Sequence, residues 1–185
     1  LRRHSAARLS DRLQEEKRVT KAAGISSHTN PMARTPYLTI LADPPWAQTL
    51  TGVRRRAKGG AAHALPYGTL TLDDIKTLPV GDLAGEGAHL WLWTTNEFLR
   101  AGFDVMDSWG FKYLAPVHWI KPSGIGNWFV HRTQTLLFGY KDRCRFPQAR
   151  YAQNVIETGN PRKHSAKPDE TYHYIERISP GPRLE

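Results

Sequence analysis

Short apolar runs alternate with amphipathic stretches from residue 37 onward, and this alternation most constrains the fold. Buried strands are predicted at 37–42 (YLTILA), 89–95, 113–120 and 135–140. Helices are predicted from Thr71, over 96–109 before Gly110, and over 167–178. Strands that alternate with helices predict an α/β fold, here a three-layer sandwich with a mostly parallel sheet. In such sheets, ligands bind beyond the carboxyl ends of the strands.

The rest of the chain gives other patterns. Residues 141–166 are predicted to be irregular, and Arg183-Leu184-Glu185 resembles the start of a further strand. Residues 1–36 are predicted to form a basic N-terminal helix over 5–24 and a linker, which leaves 37–185 as the main domain. The N-terminal segment carries eight Lys or Arg residues against three Asp or Glu residues. A solvated basic tail is therefore expected there.

The chain has a net charge of +9, which indicates a polyanionic partner. Part of the excess lies in Arg54, Arg55, Arg56 and Lys58, within a stretch predicted to be a loop. These side chains are predicted to contact phosphates, although a solvated loop would carry the same residues. No apolar run approaches the roughly 18 residues of a membrane helix, and Cys144 is the only cysteine. We therefore expect an intracellular protein, cytoplasmic if prokaryotic, without membrane contact.

The stretch Ala42-Asp43-Pro44-Pro45-Trp46 follows the first predicted strand, where a ligand would bind. Proline fixes φ and lacks an N–H, so the two prolines hold an extended backbone whose carbonyls can face a ligand. The Asp43 carboxylate and the Pro44 carbonyl could accept both hydrogens of an amine such as adenine N6 and direct its lone pair at a methyl donor. Trp46 offers a face for base stacking, worth ~1–3 kcal/mol. A proline-rich turn with a buried Trp is the structural alternative.

Six stretches carry a resemblance to a known family. They are ADPPW (42–46), PYGTLTLDDIKTLPV (66–80), HLWLWTTNEFL (89–99), GFKYLAPVHWIKP (110–122), TLLFGYKD (135–142) and HSAKPDETYHYIERISPGP (164–182). In this order they resemble the MT-A-seventy family of adenine-N6 methyltransferases. The resemblance implies a Rossmann-like fold that uses S-adenosylmethionine (SAM). It also implies transfer of a methyl group to adenine N6 in nucleic acid. The small size of the chain, with no added RNA-binding module in the sequence, favours DNA over RNA as the substrate.

The resemblance implies roles for single residues. Asp43, Pro44, Pro45 and Trp46 match the catalytic motif, and Ala42 and Asp43 would flank the donor. Lys167 is similar to the family lysine that meets the donor's carboxylate. Further contacts are implied for His164 and Ser165 with the donor, and for Tyr67 and Trp119-Ile120-Lys121-Pro122 with the base. Asn96 is predicted to cap its helix and to help shape the site.

Two features depart from the family. The chain stops at Glu185, where relatives usually continue into a segment that contacts the donor's ribose and adenine, so the C-terminal end is expected to be incomplete. Gln134 stands where many relatives carry a glutamate, which is expected to alter substrate choice or activity. A catalytically silent, nucleic-acid-binding subunit that supports an active partner is the alternative function. Either a homodimer or a heterodimer with a related subunit is compatible with both.

Other classes of site lack support in the sequence. The eight histidines show no metal-binding spacing such as H-x-x-x-H, so no metal site is expected. The phosphate-loop motif G-x-x-x-x-G-K-[ST] is absent. The stretch KPSGIGN (121–127) lacks the third glycine of a dinucleotide-binding loop.

Overall fold

A six-stranded sheet organises the part of the chain that the structure, a computed structural model, describes: residues 36–47, 68–125, 128–144, 146, 151–159 and 166–185. The strands are β1 Tyr37–Ala42, β2 Ala84–Thr94, β3 Lys112–Ile125, β4 His131–Tyr140, β5 Val155–Glu157 and β6 Arg183–Leu184. The helices are α1 Leu72–Lys76, α2 Val80–Leu83, α3 Leu99–Ser108 and α4 Asp169–Ile178, with a 3₁₀ turn at Asn96–Phe98 before α3.

The strand order in the sheet is β5-β3-β4-β2-β1-β6. β4 is antiparallel to both of its neighbours, β2 and β3, whereas β1–β2, β1–β6 and β3–β5 are parallel pairs. Among the described strands, β4 is thus the one that runs against the others. The prediction of a mostly parallel sheet is confirmed.

The alternation of side chains along β2 explains why helices cover both faces of the sheet. Leu90 and Leu92 point into a core beneath α1 and α3, while Trp91 and Trp93 point into a second core beneath α4. Because successive side chains of a strand face opposite ways, an apolar run with no polar alternation needs cover on both sides. The predicted three-layer α/β sandwich of Rossmann-like type is confirmed.

Two predicted helix boundaries are present with their stabilising contacts. Thr71 caps α1: its Oγ1 accepts a hydrogen bond from the Asp74 N–H at 3.1 Å, and the Asp74 carboxylate accepts one from the Thr71 N–H at 3.4 Å. Gly110 ends α3 in the left-handed conformation, with φ of 78°. The Phe111 N–H then donates to the Met106 carbonyl at 2.9 Å, as in a Schellman motif.

Other boundaries differ from the predictions. β3 and β4 run past the predicted 113–120 and 135–140 because they pair with each other as a hairpin up to Ile125 and His131. β5 lies inside the stretch predicted to be irregular, held by its parallel pairing with β3. The predicted strand at Arg183 is confirmed as β6, which pairs with β1. The predicted N-terminal helix (5–24) and the predicted loop over 51–68, apart from Gly68, lie outside the described residues.

Of the helices that the structure describes, none is long and apolar enough to cross a membrane.

Gly139 in β4 lies against Met106 of α3, and it gives a stability test. A Cβ at this position would meet Met106 Cε and lie 2.8 Å from the Lys112 carbonyl oxygen. Since a main-chain atom of a paired strand cannot move aside freely, we expect Gly139→Ala to lower the free energy of unfolding by about 1–3 kcal/mol. Denaturant unfolding would measure this loss. Gly159→Ala is the matched control, because no atom of the described residues lies within 4 Å of its Cβ position.

Candidate functional site

One edge of the sheet, which we call the carboxyl edge, collects the ends of β1, β2 and β3. β4 begins at this edge because it runs the other way. The side chains that meet here are Asp43 after β1, Thr95 after β2, Lys121 late in β3 and Gln134 early in β4. The segment before α4 joins them through Lys167. This is the edge at which parallel α/β sheets bind ligands.

Asp43 and Lys167 form an ion pair at the centre of the carboxyl edge. Lys167 Nζ lies 2.7 Å from Asp43 Oδ2, and the two side chains are 13% and 35% exposed, respectively. The residues are far apart in sequence, and the fold joins them because β1 ends beneath the segment that leads into α4. The structure thus brings together the two residues to which the resemblance gave the catalytic and donor-binding roles. The carboxylate remains partly open to a ligand.

The two prolines present their carbonyls differently from the prediction. The Pro44 carbonyl accepts a hydrogen bond from the Trp46 N–H at 2.8 Å, and the Pro45 carbonyl accepts one from the Leu70 N–H at 2.9 Å. Neither carbonyl is therefore free, although each oxygen has a second lone pair. The Pro44 oxygen can still accept one more hydrogen bond, and the contact with Leu70 fixes the motif to the segment before α1.

Trp46 is a core residue in this arrangement. Only 5% of it is exposed, its Nε1 donates to the Trp93 carbonyl at 3.1 Å, and its ring stacks on Phe98 with centroids 5.3 Å apart. The stacking role predicted for Trp46 needs an open ring face, which this burial does not leave. The structure instead matches the alternative, a proline-rich turn anchored by a buried Trp. Trp46 holds Asp43 in place rather than offering a surface.

Two lysines lie over two tryptophans beside the ion pair. Lys167 Nζ is 5.2 Å from the centroid of the Trp93 ring, and Lys121 Nζ is 4.7 Å from that of Trp119. The two indoles meet edge to face with centroids 6.3 Å apart. Burial lowers the pKa of Lys121, and the nearby charge of Lys167 lowers it further. The carboxyl edge therefore holds two cations close to one carboxylate, an arrangement that attracts anions.

The remaining predicted residues have different positions. The Ala42 side chain packs against the core beneath α1 and α3, so it faces away from Lys167 and only its backbone adjoins the site. Asn96 does not cap a helix: it lies inside the 3₁₀ turn, and its Nδ2 is 2.8 Å from His131 Nδ1. The other predicted site residues lie outside the described part of the chain: Arg54, Arg55, Arg56, Lys58, Tyr67, His164 and Ser165.

Two residues at the carboxyl edge were not predicted as site residues, Trp93 and Thr95. Both lie at the end of β2, next to Asp43 in the sheet, and the strand-end rule that singled out Asp43 applies to them equally. In the sequence, Trp93 belongs to the apolar run of a predicted strand, and Thr95 directly precedes a predicted helix. Their position beside Lys167 and Gln134 depends on the strand order, which the sequence pattern does not give.

The described residues of the carboxyl edge form no metal-binding site. Over the residues that the structure describes, no group of three or more His, Cys, Asp or Glu side chains is placed to hold a metal ion. The functional groups at this edge are a carboxylate, two ammonium groups and neutral polar side chains.

Comparison with known proteins agrees with this geometry. The chain is 32% identical over 153 residues to a putative N(6)-adenosine-methyltransferase MT-A70-like of Medicago truncatula, an alignment that covers 78% of this chain and 22% of that protein. It is 30% identical over 157 residues to the human N(6)-adenosine-methyltransferase catalytic subunit METTL3, covering 80% of this chain and 24% of that one. It therefore spans about a quarter of the length of these relatives.

A second kind of relative is closer in size. The chain is 25% identical over 183 residues to the type II methyltransferase M.MunI of a Mycoplasma species, which covers 91% of this chain and 78% of that protein. The family model for MT-A70 matches residues 37–185. From this match, which takes in all six strands and the paired Asp43 and Lys167, the chain belongs to the MT-A70 family.

Proposed function

We infer that this protein transfers a methyl group from SAM to the N6 amine of adenine in nucleic acid. The observation that carries the proposal is the ion pair at the carboxyl edge. Asp43 supplies an acceptor for an amine, and Lys167, 2.7 Å away, supplies a cation for an anionic donor. The relatives are named as N(6)-adenosine-methyltransferases, and a methyl transfer from SAM to an amine would use both an acceptor for the amine and a cation for the donor's carboxylate.

The residues at the carboxyl edge fit a donor such as SAM. SAM supplies a methyl group on a positively charged sulfur, and it carries a carboxylate at its other end. Lys167 would hold that carboxylate, and the Ala42 and Asp43 backbone would flank the donor. His164 and Ser165 stay predicted donor contacts. The Trp93 indole N–H, buried at 2% exposure and without a hydrogen-bond partner among the described residues, is a further donor for an anionic or carbonyl oxygen.

The protein's part in the reaction is to align the N6 lone pair. That lone pair is delocalised into the adenine ring, so the amine is a poor nucleophile until both of its hydrogens are held by acceptors. Asp43 accepts one hydrogen, and a second acceptor, predicted to be the Pro44 carbonyl, takes the other. When bound, SAM would supply the methyl group: the N6–carbon bond would form as the sulfur–carbon bond breaks, and one N6 proton would pass to solvent. Positioning of this kind can supply a large part of a rate enhancement.

A silent subunit that binds nucleic acid and supports an active partner is the alternative. Gln134, a neutral side chain at the carboxyl edge, is the observation that favours it, because many relatives carry a glutamate there. The ion pair of Asp43 with Lys167 favours catalysis, since both residues with assigned chemistry are present and in contact. Titration of SAM binding by calorimetry separates the two functions, because a silent subunit need not bind the donor.

The nature of the polymer is the finer part of the proposal. The sequence favours DNA, whereas the names of the N(6)-adenosine relatives refer to adenosine, which is the ribonucleoside. DNA preference therefore stays a prediction, as does a homodimer or heterodimer. Incubation with SAM and matched DNA and RNA oligonucleotides, followed by nucleoside mass spectrometry, tests both the methyl transfer and the preferred polymer. N6-methyladenine in either polymer supports the enzyme, and its absence from both, with SAM bound, contradicts it.

Lys121 gives a test of how the polymer is held. Its ammonium lies over Trp119 at the carboxyl edge, and the repulsion from Lys167 would be relieved by a phosphate. We expect Lys121→Gln to weaken nucleic-acid binding for all sequences alike and to reduce the slope of log affinity against log salt by about 0.7–0.9. Fluorescence anisotropy at several salt concentrations measures this. Lys112→Gln, an exposed lysine at the other end of the same strand, should leave the slope unchanged.

A further inference from the structure

Three buried polar atoms on one face of the carboxyl edge have no hydrogen-bond partner among the described residues. They are Trp93 Nε1, Thr95 Oγ1 and Gln134 Oε1. Buried polar atoms are almost always hydrogen-bonded, because leaving one unpaired costs about 1–3 kcal/mol. Three such atoms beside a candidate catalytic carboxylate therefore indicate a surface shaped for a polar ligand.

The register of the strands places these atoms in one row. Trp119 in β3 is paired with Gln134 in β4, and Trp93 in β2 is paired with Leu136. Leu136 and both tryptophans point into the core beneath α4, so Gln134, two residues from Leu136, faces the same way. Thr95 continues the β2 alternation past Trp93 with an extended backbone and lies on this face as well.

Asp43 lies on the same face of the sheet as these three atoms, on the side of β2 opposite to β4. Its partner Lys167 lies over Trp93, which places the carboxylate on the α4 side of the sheet. Neighbouring strands are about 4.8 Å apart, so the β1 and β4 backbones are separated by roughly 10 Å across β2. If the Asp43 and Gln134 side chains both extend across β2, the remaining space fits one amine group that donates a hydrogen bond to each of them.

We propose that Gln134 is the specificity-determining residue that reads the target base, with its amide paired to the Watson–Crick edge of adenine. Its Oε1 accepts the N6 hydrogen on the N1 side, its Nε2 donates to N1, and Asp43 accepts the other N6 hydrogen. A side-chain amide offers one acceptor and one donor at the spacing that adenine's adjacent donor and acceptor need. Oε1 then shares this hydrogen with the Pro44 carbonyl, whose second lone pair is open because the first accepts the Trp46 N–H.

This inference rests on the proposed function, and it explains the residue at position 134. A carboxylate there would still accept the N6 hydrogen, but it would have no donor for N1 and would repel the N1 lone pair. The amide gives this chain a contact that a glutamate cannot make. Thr95, level with Gln134 across the sheet, adds a hydroxyl that can orient the amide or contact the base.

The test is a cycle of two substrates and two side chains. Single-stranded oligonucleotides carry either adenine or 1-deazaadenine, which lacks the N1 acceptor, at the target position. We expect the wild-type protein to favour adenine, and Gln134→Met to reduce the ratio of kcat/KM values for the two bases about tenfold. The altered basicity of 1-deazaadenine is the same for both proteins, so it cancels. An unchanged ratio would overturn the proposal, because a merely structural role lowers both activities equally.

Further arms separate the causes. Gln134→Glu should lose the preference at least as fully as Gln134→Met, because the carboxylate also repels N1, and retention of the preference by the glutamate would contradict the proposal. With 7-deazaadenine, wild type and variants should give the same ratio. Gln153→Met, a glutamine whose backbone carbonyl makes its bond to Tyr174, controls for the substitution itself. The same base ratio measured as oligonucleotide binding by anisotropy tests the contact even if no methyl transfer occurs, an outcome that would count against the proposed function alone.

Discussion

Replacement of Asp43 by asparagine is expected to reduce methyl transfer about 10²–10³-fold while the fold is retained. Asparagine has nearly the same shape as aspartate, so the turn anchored by Trp46 should keep its structure. It lacks the negative charge that would polarise the N6–H bond and balance the charge developing on the nitrogen. The loss of one preorganised electrostatic contact of this kind has an effect of that size in other enzymes. Mass spectrometry of N6-methyladenine under single-turnover conditions measures it.

The chain provides a control with the same chemical change elsewhere. Asp104 on α3 forms an ion pair with Lys76 at 3.8 Å, away from the carboxyl edge. Asp104→Asn removes an exposed ion pair worth about 0–1 kcal/mol, so stability and activity should both stay close to wild type. If Asp43→Asn instead turned over at the wild-type rate, Asp43 would not be the acceptor. The proposed lone-pair alignment would then be wrong.

The sheet could be predicted because its signals are local. The apolar run of β2 has no polar alternation, and this alone indicates a strand covered on both faces. Thr71 starts α1 because its side-chain oxygen can cap the helix, and Gly110 ends α3 because a residue without a Cβ adopts the left-handed conformation easily. β5 has no such signal, since three residues with exposed Val155 and Glu157 become a strand only by pairing with β3.

The site could be predicted in part for a similar reason. Asp43 follows a strand directly, so the rule about strand ends finds it, and the family resemblance adds Lys167. The contact between Asp43 and Lys167 agrees with the strand-end rule and with the family resemblance. Trp46 differs because its partners, Phe98 and the Trp93 carbonyl, lie far along the chain. A tryptophan after two prolines looks the same in sequence whether it stacks on a ligand or fills a core.

Gln134 and Thr95 show a further limit of sequence reasoning. Their proximity follows from the reversed strand β4 lying between β2 and β3. A sequence that predicts strands without their order cannot say that these two side chains are neighbours. What marks them is that each buried oxygen has no hydrogen-bond partner among the described residues, which is a property of the packed structure.

Lys167→Met is expected to weaken SAM binding about 10–100-fold, the second large effect. A hydrogen bond to a charged group contributes about 1.5–3 kcal/mol, and methionine keeps the apolar contact with Trp93 without the charge. Lys167→Arg should keep most of the affinity, since it retains the cation. Calorimetric titration with SAM measures both, and Lys76→Met controls for loss of a lysine from an ion pair. Unchanged affinity in Lys167→Met would show that the donor's carboxylate binds elsewhere.

The ion pair adds a second signature to this experiment. Lys167 cannot give its full charge to Asp43 and to a donor's carboxylate at once, so the two compete for it. We therefore expect Asp43→Asn, although nearly inactive, to bind SAM at least as tightly as wild type, because its Lys167 is released from the 2.7 Å contact. Lys167→Met should lose affinity whether or not Asp43 is present. Weaker SAM binding in Asp43→Asn would mean instead that Asp43 itself contacts the donor and that the competition does not exist.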